Sequence, residues 1–116
     1  MPDTPLTKEQ IEAKAKELSE KHACKVHGFE FINPENGDQV IGYIKEPNRL
    51  LKLYALDKGA LQLYSVGVQL IDSCLIKDES DPRIYSESQE HDTYYFGAID
   101  FANGLIALSR DQLKKK

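Results

Sequence analysis

The side chains with metal-binding chemistry are His22, Cys24 and His27 near the N-terminus and a His91–Asp92 pair far along the chain. Zinc needs about four ligands that converge at about 2 Å. Alternate residues of a strand point to opposite faces, so Cys24 and His27 should diverge if this segment is extended. The spacing favours a half-exposed histidine pair beside a buried thiol, and we predict no metal and no cofactor.

The candidates for acid, base or nucleophilic chemistry are equally weak. Cys74 falls on the apolar side of a predicted helix, where burial raises the pKa of a thiol and lowers its reactivity. The carboxylates of residues 77–91 lie in a polar, Ser-rich segment, whereas a general acid or base needs a desolvated site. Gly42, Gly59 and Gly67 are too widely spaced to form a phosphate-binding loop. We therefore predict no catalytic residues and no enzymatic activity.

Size and charge indicate a single small domain over residues 1–116, with 41% hydrophobic residues and a formal net charge of −4. The negative charge disfavours nucleic acid and anionic lipid as partners, because both require clustered positive charge. No apolar run approaches the roughly 18 residues of a membrane span, and the N-terminus lacks the apolar core of a signal peptide. We expect a cytoplasmic protein with both cysteines reduced and unpaired.

The N-terminal third predicts one helix and one hairpin. Residues 1–6 should be a loose tail, and the capping-box spacing of Thr7 and Gln10 predicts a helix over 7–22. Its apolar stripe is thin, so we expect it to dock weakly or on another molecule. The stripe residues are Ile11, Ala15 and Leu18.

Two apolar runs joined by a Pro-, Asn- and Gly-containing turn predict an antiparallel β-hairpin over residues 24–45. The hydrophobic alternation changes phase across Gly28, which predicts a β-bulge there. A hairpin alone is marginal in water, so it must pack on helices, and its sheet is open to extension by a further strand.

Helices are predicted over 47–58, begun by its proline, over 60–75 and over 92–110. Gly67 lies in the middle of the apolar face of the second of these, which predicts a close helix crossing. Residues 77–91 should be a surface loop, either ordered or a mobile flap. The predicted fold class is α+β, with the hairpin packed on a bundle of three to four helices.

An aromatic residue is out of place on the last helix. Phe96 lies on its small and polar side, and with Tyr94 it is either an edge-of-core residue or an exposed anchor of the kind that dominates interface energies. Both interpretations remain open. With Ile11 and Leu18 of the thin N-terminal stripe, these aromatics form our set of candidate partner-binding residues.

The run from Tyr43 to Leu75 is predicted to contain a strand followed by Glu-Pro-Asn-Arg, a helix, a break and a second helix with a Cys. This order of elements resembles that of the small tail assembly chaperones of long-tailed phages and prophages. The charged N-terminal helix, the hairpin and the final apolar helix with its Lys-rich end, Leu105–Lys116, also fit. The chain departs from the family after the Cys, where related chains often have Trp and a Gly-Gly-Asp turn and this one has Leu75–Asp78.

The resemblance implies a non-enzymatic chaperone that binds tape-measure or tail-tube proteins in the host cytoplasm, shields apolar helices before they are packed, and self-associates. It also implies a second, longer product made by ribosomal slippage at the purine-rich codons of Lys114–Lys116. One alternative is a small cytoplasmic bacterial adaptor, a protein-interaction module unrelated to phage. Another is a metabolic enzyme with a cleft lined by His27, Cys74 and acidic groups.

Overall fold

A two-stranded antiparallel hairpin and four α-helices make up the part of the chain that the computed structural model describes, residues 6–59 and 61–111. This confirms the predicted α+β class. Three short 3₁₀ turns lie between the last two helices. The helices and strands are α1 Lys8–His22, β1 Val26–Ile32, β2 Gln39–Lys45, α2 Arg49–Gly59, α3 Leu63–Cys74 and α4 Asp92–Asp111.

Two predictions about the chain ends fall largely outside the described residues. These are the loose tail at residues 1–5 and the lysine run at Lys114–Lys116. Leu6, the last residue of the predicted tail, is described, and its backbone N–H donates to Gln39 Oε1 at 2.9 Å.

The hairpin has a continuous register from the Val26–Lys45 pair to the Ile32–Gln39 pair, so the predicted bulge at Gly28 is wrong. The hydrophobic alternation changes phase because both faces of β1 are covered, one by α1 and the other by α3 and α4. Gly28 instead permits close approach of α1, since a Cβ there would lie 2.7 Å from Ile11 Cγ2.

Helix α1 begins with the predicted capping box, in which Thr7 and Gln10 exchange side-chain and backbone hydrogen bonds. Its thin apolar stripe docks on the chain's own hairpin and not on another molecule. The stripe packs in a small core with Val26, Tyr43 and Ile76.

The larger core lies on the other face of the hairpin, where α3 and α4 pack against β1 and β2. The close helix crossing predicted at Gly67 is confirmed, because a Cβ at this position would overlap Ile99 Cγ2 of α4. Asn103 of α4 fixes the same crossing by donating to the Leu63 backbone oxygen at 3.2 Å.

Helix α2 starts two residues later than predicted. Asn48 caps it, because its side-chain oxygen accepts the Leu51 N–H at 2.9 Å. Pro47 therefore precedes the cap and does not occupy the first helical turn. An asparagine side chain can satisfy a free N–H of the first turn, so the helix begins after it.

Residues 77–91, predicted as a surface loop, contain three short 3₁₀ turns and no strand or α-helix, and their first part packs along the free edge of β2. The Ser80 hydroxyl is buried, accepts the Tyr43 N–H at 3.0 Å and donates to the Ile76 oxygen at 2.7 Å. Ile84 further along is fully buried. These anchors are single residues without a periodic pattern, so the sequence did not indicate them.

Residues 75–81 lie along the edge where the hairpin left room for a further strand. Among the described residues, the one isolated bridge with strand geometry joins Ile44 and Leu75. Backbone hydrogen bonds from Ile76 to Tyr43 and from Asp81 to Ile41 continue along the edge at 2.8 and 2.9 Å. An edge covered in this way cannot pair with a strand of another chain.

Candidate functional site

His27, one of the three metal-binding side-chain types near the N-terminus, belongs to an ion-pair network. His27 Nε2 lies 2.5 Å from Glu46 Oε1, and Lys52 of α2 pairs with the other carboxylate oxygen. Partial burial opposes ionisation of Glu46, but hydrogen bonds from Lys52 and His27 outweigh it and hold the pKa of this carboxyl below its ordinary value. Within residues 6–59 and 61–111, no three His, Cys, Asp or Glu side chains converge as metal ligands.

Cys74 is 5% exposed and packs in the larger core. Burial raises the pKa of the Cys74 thiol, which keeps it protonated at neutral pH. Cys24 is half-buried, and both cysteines are free thiols. The geometry gives neither sulfur an activated position.

The four predicted partner-binding residues do not share a surface. Ile11 and Leu18 belong to the core under α1, and Tyr94 is 5% exposed, with its hydroxyl accepting a hydrogen bond from Asn33 at 3.0 Å. Tyr94 is thus an edge-of-core residue, which corrects its candidacy as an exposed anchor. Phe96 is the exception, since its side chain is 52% exposed.

Phe96 forms one wall of an open groove of about 360 Å³ between α3 and α4. We call this the α3–α4 groove. Ile99 is 1% exposed and forms its floor, whereas Tyr64 on the opposite wall is 59% exposed. The lining residues are Tyr64, Val68, Tyr95, Phe96 and Ile99.

Helical spacing and one small residue create the groove. Tyr64 and Val68 are one turn apart on α3, and Phe96 and Ile99 are one turn apart on α4, so each pair lies on one helix face. Because Gly67 has no side chain, the two helix backbones approach closely over Ile99. The flanking aromatic rings lie on either side of this crossing. The sequence predicted Phe96 by its position on the last helix but did not predict Tyr64 as part of a binding surface.

Acidic groups flank the groove. Asp72 is exposed on α3 one turn beyond Val68. Burial, and to a smaller extent the Asp72 carboxylate, raises the pKa of the Tyr95 hydroxyl. Asp100 is exposed one turn beyond Phe96. Helix α3 carries no basic residue, and α4 carries only Arg110, near its far end. This surface is thus apolar in the middle, with acidic side chains one turn beyond its walls.

No protein-family model matches this chain, and no significant match was found among curated proteins or solved structures. Within the described residues, no helix combines the length and the apolar character needed to cross a membrane. The case for a function therefore depends on the geometry of the α3–α4 groove and on the residues of the chain itself.

Proposed function

We propose that this protein is a non-enzymatic chaperone that binds an amphipathic helix of a client protein in the α3–α4 groove. The observation that carries the proposal is the position of Phe96. Its ring is half exposed at the wall of an apolar groove, whereas Tyr94 on the same helix is only 5% exposed. Exposed aromatic side chains beside a desolvated floor are typical centres of protein interfaces.

The shape of the groove favours a helix as the ligand. Two helices in contact leave a furrow between them, and the side-chain ridge of a third helix packs into such a furrow. Recognition of this kind uses apolar anchors spaced three, four and seven residues apart on the bound helix. The covered edge of β2 makes strand addition at that edge an unsuitable alternative.

The acidic side chains near the groove indicate which kind of client helix would bind there. Asp72 and Asp100 are exposed one turn beyond Val68 and Phe96, so a client helix with Lys or Arg beside its apolar stripe gains favourable electrostatic interactions. Such helices are insoluble or self-associating when unpacked, because their apolar stripe faces water. Covering the stripe until assembly is the activity of a chaperone.

The resemblance to tail assembly chaperones supports a specific client. Under this proposal the client is a tape-measure or tail-tube protein in the bacterial cytoplasm, and the groove shields its apolar helix during tail assembly. The adaptor alternative uses the same groove with a different client. Genes for tail proteins next to the gene for this chain would favour the phage client.

The helix-binding step is tested with a labelled amphipathic peptide that carries a leucine stripe flanked by lysines. Fluorescence anisotropy gives its Kd for the wild type, for Phe96→Ala and for the control Leu108→Ala. Leu108 is on the same helix and is 54% exposed, close to the 52% of Phe96, but it lies outside the groove. Phe96→Ala should weaken binding by about tenfold or more, and Leu108→Ala should leave it within about twofold.

Equal effects of the two substitutions would contradict binding in the groove. A second peptide with glutamates in place of the flanking lysines tests the charge argument, because it should bind more weakly to the wild type. The client is tested separately, by co-expression with the tape-measure protein. If the lysine peptide binds and the tape-measure protein does not, the helix-binding activity stands and the phage client is wrong.

A further inference from the structure

Helix α2 presents a second apolar surface that the α3–α4 groove does not include. Its exposed residues Leu50, Leu53 and Leu56 are 78%, 50% and 39% exposed, whereas Ala55 on the opposite side is buried in the core. At 100° per residue the three leucines fall within an arc of about 120° on the outward face of α2. We call this the α2 leucine face.

Two opposite charges lie at the ends of the α2 leucine face. Arg49 at the start of the helix and Asp57 near its end are both exposed. They are about 12 Å apart along the helix axis, at 1.5 Å per residue. Within residues 6–59 and 61–111, neither side chain has an ion-pair or hydrogen-bond partner. The charges are therefore available to another molecule.

The order of these residues along α2 is self-complementary. If a second copy of α2 packs antiparallel with Leu53 at the centre, Leu50 of each copy is level with Leu56 of the other. Arg49 of each copy is then level with Asp57 of the other, so one twofold axis creates two opposite-charge pairs. A parallel arrangement would instead place like charges at the same level.

We propose that the α2 leucine face is the interface of a homodimer in which two α2 helices pack antiparallel about a twofold axis at Leu53. Isologous contacts of this kind are the commonest in homo-oligomers, because one patch serves both subunits. The proposal does not depend on client binding, since none of the α2 face residues lines the α3–α4 groove.

The size of the interface sets the strength of the dimer. A single helix of 11 residues covers less than the roughly 800 Å² per partner of a standard interface. We therefore expect a weak dimer, with a Kd on the order of 10 µM or higher.

Charge reversal tests the pairing. Sedimentation velocity over roughly 1 µM to 1 mM, a range that brackets the expected Kd, should show a monomer–dimer equilibrium for the wild type. Arg49→Asp and Asp57→Arg should each raise the dimer Kd by about tenfold or more, because each places like charges at the same level. A mixture of these two variants should form heterodimers, and the double variant should dimerise like the wild type.

Leu53→Asp should abolish the dimer, whereas Leu108→Asp, at a similar exposure on α4, should leave it intact. Circular dichroism of each variant shows whether the fold is retained. A wild type that stays monomeric over the whole range would overturn the proposal, and so would charge-reversal variants that dimerise normally. Binding of the lysine peptide should be the same for Arg49→Asp and the wild type, so failure of the dimer and failure of the groove can be told apart.

Discussion

The α3–α4 crossing makes a sharp prediction about Gly67. Replacing it with alanine adds one methyl group at a point that overlaps Ile99 Cγ2 and lies 3.2 Å from Asn103 Nδ2. Ile99 is 1% exposed and branched at Cβ, so it cannot rotate away into solvent. Either the two helices must separate, or Ile99 must adopt an unfavourable rotamer.

Two opposing terms set the size of the effect. Alanine is favoured over glycine in a helix by about 1 kcal/mol, whereas overpacking a core costs about 1–3 kcal/mol. Gly104 in α4 provides a matched control, because nothing lies within 4 Å of a Cβ built there. Gly104→Ala should therefore gain the helix propensity alone. The propensity term cancels between the two variants, so their free energies of unfolding should differ by about 1–3 kcal/mol.

Urea unfolding followed by far-UV circular dichroism measures this difference. Gly67→Ala should be less stable than Gly104→Ala, with a Tm lower by roughly 4–12 °C for a domain of this size. Gly67→Leu should lose more than Gly67→Ala, because it adds three further carbons at the same crossing. Ile99→Ala should cost less in the Gly67→Ala background than in the wild type, since it removes the overlapping methyl. Equal stability of Gly67→Ala and Gly104→Ala would refute the close crossing.

Three further predictions concern the packed edge, the ion-pair network and the thiols. Ser80→Ala leaves the buried Tyr43 N–H without its partner and should lower the free energy of unfolding by about 1–3 kcal/mol; an unchanged urea midpoint would argue against this role. Partial burial opposes ionisation of Glu46, but hydrogen bonding outweighs it and lowers the pKa of this carboxyl. The carboxylate therefore stabilises the folded protein above roughly pH 4, and this stabilisation is lost as the pH falls through the folded-state pKa. Glu46→Gln should be less stable than the wild type at neutral pH and lose less stability on acidification; parallel pH profiles would contradict this. In denaturant without reductant, both Cys24 and Cys74 should react with a thiol reagent, while the native protein should react faster at Cys24; an unreactive pair would indicate a disulfide.

Local signals predicted much of the fold. The Thr7 and Gln10 side chains define the start of α1 by themselves, and the turn between the strands carries its own Pro, Asn and Gly residues. The crossing at Gly67 was also predictable, because a glycine in the middle of an apolar helix face is costly unless something packs closely on it. Each of these features depends on residues a few positions apart.

The features that the sequence did not predict depend on contacts between distant residues. Ser80 reaches Tyr43 across 37 positions through one hydroxyl, which leaves no trace in hydrophobic periodicity. The phase change at Gly28 was interpreted as a bulge because a single strand does not indicate that both of its faces are covered. The α3–α4 groove was predicted only through Phe96, since the rotation of α3 that presents Tyr64 beside it is set by tertiary packing.

The most direct test of the proposed function is to map where a client helix binds. Amide chemical shifts of the isotopically labelled protein should be followed by NMR during titration with the lysine-flanked peptide. The largest changes should occur around Tyr64, Val68, Phe96 and Ile99, and the amide of Leu53 on the α2 leucine face should change little. Absence of any shift change, or changes centred on α2, would contradict helix binding in the α3–α4 groove.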